Sequence, residues 1–231
     1  MSSRARIIDA AITVFRRQGF RRSSIEQAAE AAGLTRQALY HHFKSKEALF
    51  RAVIERLYEA AFAAETAAVA AAEKAGDSLA DVIVASVSAK LGQLAKSLDG
   101  SPHVEELFSE HLAQARDLYQ KYATAHAEQL AATIARICRK QSLSLNAGMT
   151  PREFARCIEM TVNGTKSAYP AMQPANAFLR DLDVMLRTFV AGAVSPAKPR
   201  AAKSKPARKS AKKSAKKSAR KSVSKTRRDR K

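Results

Sequence analysis

The sequence predicts an all-α protein, and three observations carry that prediction. Hydrophobic residues make up 46% of the chain, but aromatics only 6%, Trp is absent and there are only eight glycines in 231 residues; an alanine-rich, glycine-poor composition favours helix because Ala has the best intrinsic propensity and Gly among the worst. Apolar residues recur at spacings of three and four rather than two. Serines, threonines, prolines and glycines fall where helix ends need them.

Taken in order, the first helix spans 4–18. Ile8, Ala11, Ile12 and Phe15 share one face, Arg6, Asp9, Thr13, Arg16 and Arg17 take the other, and Gly19 is placed to end it as a left-handed cap. A second helix starts at Ser23 or Ser24, since Ser23-x-x-Glu26 and Ser24-x-x-Gln27 both have capping-box spacing, and runs to Gly33. Thr35 caps a short third helix that reaches Phe43, and Ser45 caps a fourth that continues to about Lys74. Further helices are expected at 78–98, 102–118, 119–143, 151–169 and 175–192. Breaks are expected at Ala75-Gly76-Asp77, Asp99-Gly100-Ser101-Pro102, Asn146-Ala147-Gly148 and Tyr169-Pro170. The periodicity hardly falters near 118. Thr150-Pro151 is an N-cap followed by proline at the first helical position.

Charge divides the chain in three. The net charge is +20, and residues 196–231 hold seventeen Lys/Arg against one acid, Asp229. Residues 1–51 carry ten basic and four acidic side chains, and the stretch between is near neutral, at −2. Both ends suit a polyanion. No run of eighteen uncharged apolar residues occurs, so no membrane span is expected, and charges at Asp9, Arg16 and Arg17 interrupt any signal-like core. Two cysteines, Cys138 and Cys157, without CxxC spacing fit a reducing, cytoplasmic setting and buried small side chains.

Two short helices joined by a tight turn, Ile25–Ala32 and Thr35–Phe43, have helix–turn–helix dimensions. Ala29 sits where a larger side chain would push the pair apart, and Gly33 can take the turn's backbone geometry. Leu39 and Phe43 point inward; Arg36, Gln37, Tyr40 and His41 take the polar side. Arg and Gln can read base edges through paired hydrogen bonds. Thr35, Tyr40, Lys44 and Lys46 suit phosphate, as do the amides that open the fourth helix.

The run Ile8-x-x-Ala11-x-x-x-Phe15-x-x-x-Gly19-Phe20, then Ser24-Ile25-x-x-x-Ala29-x-x-Ala32-Gly33-Leu34-Thr35, then Leu39-Tyr40-His41-His42-Phe43-Lys44-Ser45-Lys46-Glu47-Ala48-Leu49 resembles the DNA-binding domain of the tetracycline-repressor (TetR) family. The resemblance implies a three-helix DNA-binding domain over 1–50 and a helical ligand-binding and dimerisation domain over 51–195. It implies a homodimer on double-stranded operator DNA, released or engaged by a small-molecule effector whose identity the resemblance does not carry. It also implies phosphate contacts at Ser24, Tyr40, His42 and Lys46, with base readout near Thr35, Arg36, Gln37 and His41. Arg36-Gln37-Ala38 lies where family members vary, so no operator sequence is implied.

Within 51–195 the stripe Phe178/Leu182/Met185/Phe189 fits either a dimer face, as the family implies for the last two helices, or intrachain core. His103, Glu106 and His111, at spacings of three and five, do not share one helical face, so no metal site is expected. Glu105, Glu106 and Glu110 read as a solvated acidic face, and His126 as surface or half-buried. No phosphate loop, nucleophile triad or carboxylate pair stands out. The expectation is a protein that is not an enzyme and needs no cofactor.

From Ser195 the apolar pattern stops. Ser210-Ala-Lys-Lys, Ser214-Ala-Lys-Lys and Ser218-Ala-Arg-Lys form a four-residue repeat. Residues 196–231 are expected to be a disordered basic tail, because so charged a segment cannot offset the entropy of ordering itself. Its composition resembles the Lys/Ala-rich tails of linker histones. Lys212, Lys213, Lys216, Lys217, Arg220 and Lys221 are the expected non-specific DNA contacts, acting by counterion release. Two functions remain open: a ligand-responsive transcriptional regulator, in this family usually a repressor, or an architectural nucleoid-associated protein that coats DNA.

Overall fold

The computed structural model describes residues 2–197; the expected tail therefore lies, from 198 onward, outside the described residues. Nine α-helices account for most of the described chain. Helix α1 (Ser3–Arg22) is capped by Ser2, whose hydroxyl accepts from the Ala5 amide at 3.3 Å. Gly19 interrupts it with φ 78°, ψ 171°. That is positive φ, as expected, but the extended ψ is not the left-handed cap predicted, and a further turn through Phe20 follows.

Helices α2 (Ile25–Ala31) and α3 (Arg36–His42) pack as a pair. Ser24, not Ser23, is the cap of α2. Its hydroxyl accepts from the Gln27 amide while Gln27 returns a bond to the Ser24 amide at 2.8 Å, and Ser23 is buried, donating to the Phe20 carbonyl at 2.7 Å. At the other end the Leu34 amide reaches the Ala29 carbonyl at 2.9 Å and the Gly33 amide reaches Glu30 at 3.0 Å. This doubly bonded ending needs a left-handed residue, which Gly33 supplies with φ 67°. Ala29, 2% exposed, lies in the contact beneath.

Helix α4 (Lys46–Ala75) is thirty residues long, about 45 Å at 1.5 Å per residue, and belongs to both halves of the described protein. Its first turns put Leu49, Phe50 and Val53 into a core with Ile7, Phe15, Phe20, Ile25, Leu39 and Phe43. Phe50 meets Phe15 edge-on at 5.2 Å and Phe20 at 4.7 Å. Its last turns put Val69 and Ala72 into a second core built by α5 (Leu79–Leu98), α7 (Arg116–Lys140), α8 (Pro151–Ala168) and α9 (Ala175–Ala193). Helix α6 (Val104–Gln114) crosses between them and touches both α1 and α4.

Two expectations fail in this half. The break predicted at 118 falls at Ala115, fully buried with φ −140°. Arg51 of α4 explains the position. Its guanidinium takes the orphaned Gln114 carbonyl at 2.8 Å and both Asp117 oxygens at 2.7 and 2.6 Å, so tertiary bonds replace the helical ones lost at the corner. The helix expected to reach 143 stops at Lys140. Leu143–Leu145 (β1) instead pairs antiparallel with Val194–Pro196 (β2), with Ser144 opposite Ser195. Three-residue strands carry no readable alternation, and the pairing joins segments fifty residues apart.

The apolar stripe of α9 also divides. Phe178, Leu182, Leu186 and Val190 form the buried line, whereas Met185 is exposed and Phe189 half-buried against Phe154.

Candidate nucleic-acid interface and central cavity

The side chains expected to meet DNA gather on one surface. Thr35 caps α3 by accepting from the Ala38 amide at 3.2 Å, and Thr35, Arg36, Gln37, His41, His42 and Lys44 are exposed along or just beyond that helix. Tyr40 is half-buried, and the Arg36 guanidinium lies over its ring, 5.4 Å from the centroid. Arg36 also pairs with Glu26 of α2 at 2.8 Å, so in the free protein it is parked on its own neighbour. Lys44 bonds back to the Tyr40 carbonyl at 3.4 Å. The half-buried Ser24 hydroxyl serves the cap of α2 described above.

Lys46 occupies a different place from that expected of a phosphate ligand. Its ammonium turns inward, donating to the carbonyls of Phe20 at 2.9 Å, Ser23 at 3.1 Å and Arg21 at 3.3 Å, and sits 4.5 Å from the Phe20 ring centre. It closes the frayed end of α1 against the start of α4. The tail cations Lys212, Lys213, Lys216, Lys217, Arg220 and Lys221 lie outside the described residues.

The same α1–α2 corner is held from the other side by α6. Glu106 accepts from the Arg21 amide at 2.8 Å, and Glu110 pairs with the Arg21 guanidinium at 2.9 Å. Glu110 is buried and Glu106 half-buried, so the solvated acidic face expected there is wrong for both; only Glu105 is exposed. An acidic residue is solvated by default, and nothing local signals a partner 85 residues away. A Cβ on Gly19 would lie 2.5 Å from the Glu106 carboxylate. Further along, the Arg16 guanidinium donates to the Asp99 carbonyl, and Ser101 donates to the Arg16 carbonyl at 2.7 Å.

Behind this corner lies a cavity of about 620 Å3. Ile12, Phe15 and Arg16 of α1 and a face of α4 from Phe50 to Tyr58 form one wall, and residues of α5, α6, α7 and α8 with Met172 the rest. Its volume is in the range of small-molecule sites. Inside, the Tyr58 hydroxyl and the His111 ring nitrogen are 3.0 Å apart. Burial, and then the charge of Lys166, push the His111 pKa down to about 4, so its imidazole is neutral at physiological pH.

Beside the cavity is a buried polar group that no local sequence pattern signals. Glu65, fully enclosed, accepts from Ser86 at 2.7 Å and contacts the His126 ring at 3.1 Å. Burial pushes the Glu65 pKa up, but the His126 and Ser86 bonds and the charges of His126 and Lys90 outweigh it and leave it below the usual value. His126, expected at or near the surface, is 4% exposed. Cys138 and Cys157 are half-buried rather than buried, and burial raises the Cys138 thiol. Among the described residues no group of three His, Cys, Asp or Glu side chains is placed to hold a metal, and no helix is long and apolar enough to cross a membrane.

Residues 7–53 match the family model described as bacterial regulatory proteins, tetR family. The HTH-type transcriptional regulator TtgR of Pseudomonas putida is 42% identical over 57 residues, which cover 25% of this chain and 27% of that protein, about a quarter of either. The HTH-type transcriptional repressor Rv1474c of Mycobacterium tuberculosis is 26% identical over 70% of this chain and 79% of its own length. Among solved structures, a TetR-family transcriptional regulator from Cytophaga hutchinsonii shares the fold with a TM-score of 0.60 at 19% identity, covering 82% of this chain and 94% of that one. Residues 7–53 thus carry a DNA-binding domain of the tetR family of bacterial regulatory proteins, on a chain whose fold matches that of a TetR-family regulator.

Proposed function

We propose that this protein is a cytoplasmic bacterial transcriptional repressor that binds operator DNA as a homodimer and responds to a small molecule. One observation carries the reading: the wall of the 620 Å3 cavity is formed in part by α1 of the DNA-binding domain itself. Whatever occupies the cavity presses on Phe15 and Arg16, which share a helix with the corner held by Lys46, Glu106 and Glu110. Moving that corner moves α2 and α3, and the spacing of two reader helices in a dimer decides whether both half-sites can be engaged.

In this reading residues 1–50 choose the sequence and 51–195 sense the effector and dimerise. Arg36, Gln37 and His41, with Thr35, read base edges. Ser24, Tyr40, His42 and Lys44 hold phosphates, while Lys46 positions the corner from within. Support for the dimer comes from α8 and α9, which leave Met160, Val184 and Met185 at 63%, 57% and 52% exposed. The basic tail adds sequence-independent affinity. Deleting 199–231 then lowers affinity for specific and random DNA together and flattens the salt dependence; loss of the specific complex alone would contradict that role.

The test is selection from a random duplex library with the full chain. A two-fold symmetric motif with half-sites about one helical turn or a multiple apart supports the repressor reading. Enrichment of no motif, with uniform binding at low salt, means an architectural coat instead.

A further inference from the structure

The charge lining the cavity says what kind of molecule it takes. Arg16 from α1, Arg116 from α7 and Lys166 from α8 all line it, and no Asp or Glu does. The remaining lining is dominated by aliphatic and aromatic side chains, Leu57, Leu94 and Phe108 among them. These cations are not neutralised from within the protein. Lys166 and Arg116 have no ion pair within 4 Å among the described residues, and the Arg16 Nε is buried without a partner, although its Nη2 reaches the Asp99 carbonyl. Glu159, the carboxylate acting on Lys166, is outside that pairing distance and lines a smaller neighbouring pocket. Burial holds the Lys166 pKa below that of an ordinary lysine, the mark of a cation without adequate compensation.

A wall that is positive and otherwise mostly apolar repels organic cations and gives neutral oils nothing in return for the dehydration already incurred at Lys166. An anion recovers that cost through charge-assisted hydrogen bonds. The neutral His111 and Tyr58 beside it offer orienting hydrogen bonds without adding charge. Resting on the reading of this cavity as the effector site, we propose that the effector is an amphipathic organic anion. Its carboxylate-type head pairs with Lys166 and Arg116, and its apolar body fills the space against Phe15, Leu94 and Phe108. A head reaching Arg16 would contact the DNA-binding domain directly.

The experiment displaces anilinonaphthalene sulfonate, followed by fluorescence, from the full chain with three probes that each carry a ten-carbon chain: decanoate, decanamide and decyltrimethylammonium. Decanoate is expected to displace at concentrations about tenfold below the amide, a difference of about 1.4 kcal/mol, with the cation weakest. In Lys166→Gln the acid and amide should converge, and Arg116→Gln, at an exposed position, should narrow the gap in a chain that folds whatever Lys166 contributes. Equal displacement by all three overturns the anion preference but leaves the effector cavity standing. A preference for decanoate unchanged when both residues are replaced overturns it as well, because the head would then be held elsewhere, on the tail for example. No displacement by any probe, with none changing DNA affinity, overturns both readings.

Discussion

The two halves of the described protein solve opposite problems. Residues 2–50 have a filled interior: Phe15, Phe20 and Phe50 interlock, each helix from α1 to α3 is capped by its own preceding Ser or Thr, and Arg36 and Lys44 stand outside. Residues 51–197 enclose charge. They bury Glu65 with His126 and Ser86 and line a 620 Å3 space with unpaired cations. The first half presents residues to a partner; local bonds define its caps and turns, and α6 holds its α1–α2 corner. The second is a container, held open by polar groups that only distant helices can satisfy.

The largest expected effect is at the container's polar core. Glu65→Ala strands a buried His126 and Ser86 and should destabilise by about 3–5 kcal/mol, read as a lowered urea midpoint; a loss under 1 kcal/mol would mean water already solvates the group. Lys46→Met comes next. Removing three charge-assisted bonds to the α1–α2 corner should cost about 2–3 kcal/mol and weaken operator binding more than random-duplex binding. A uniform loss across all DNA, with stability unchanged, would restore Lys46 as a phosphate ligand. Gly19→Ala meets the Glu106 carboxylate and a backbone region open essentially to Gly, for about 1–3 kcal/mol. If the clash is with Glu106, Glu106→Ala should recover part of that loss. The smallest effect is Ser24→Ala, about 1 kcal/mol for the lost cap, observable as faster amide exchange in α2.

The same division explains what could be read from the sequence. Caps and turns are local, so Ser24, Thr35, Ser45, Thr150 and Gly33 fall where their residue types require, and the exposed face of α3 follows from them. Glu65 and His126 are 61 residues apart, and Glu106 and Arg21 are 85 apart; each looks solvated until the fold supplies its partner. The corner at Ala115 was invisible because alanine continues a helix well, and Arg51, which stabilises the corner, belongs to another helix. In the free protein Lys46 is held by carbonyls just beyond the kink at Gly19, partners that its basic and polar flanking sequence does not reveal. Arg36, conversely, is where it was expected but held by Glu26, a contact between adjacent helices that spacing alone does not reveal.

The central claim is that sequence choice belongs to the exposed face of α3. It is tested most directly by selecting bound sequences from a random duplex library with the intact protein and with the Arg36→Ala, Gln37→Ala double variant. The account predicts a two-fold symmetric motif for the intact chain, and for the variant retained DNA binding with discrimination at the motif's contacted positions reduced by about 1–3 kcal/mol per lost base contact. An identical motif of identical strength from both proteins would contradict it.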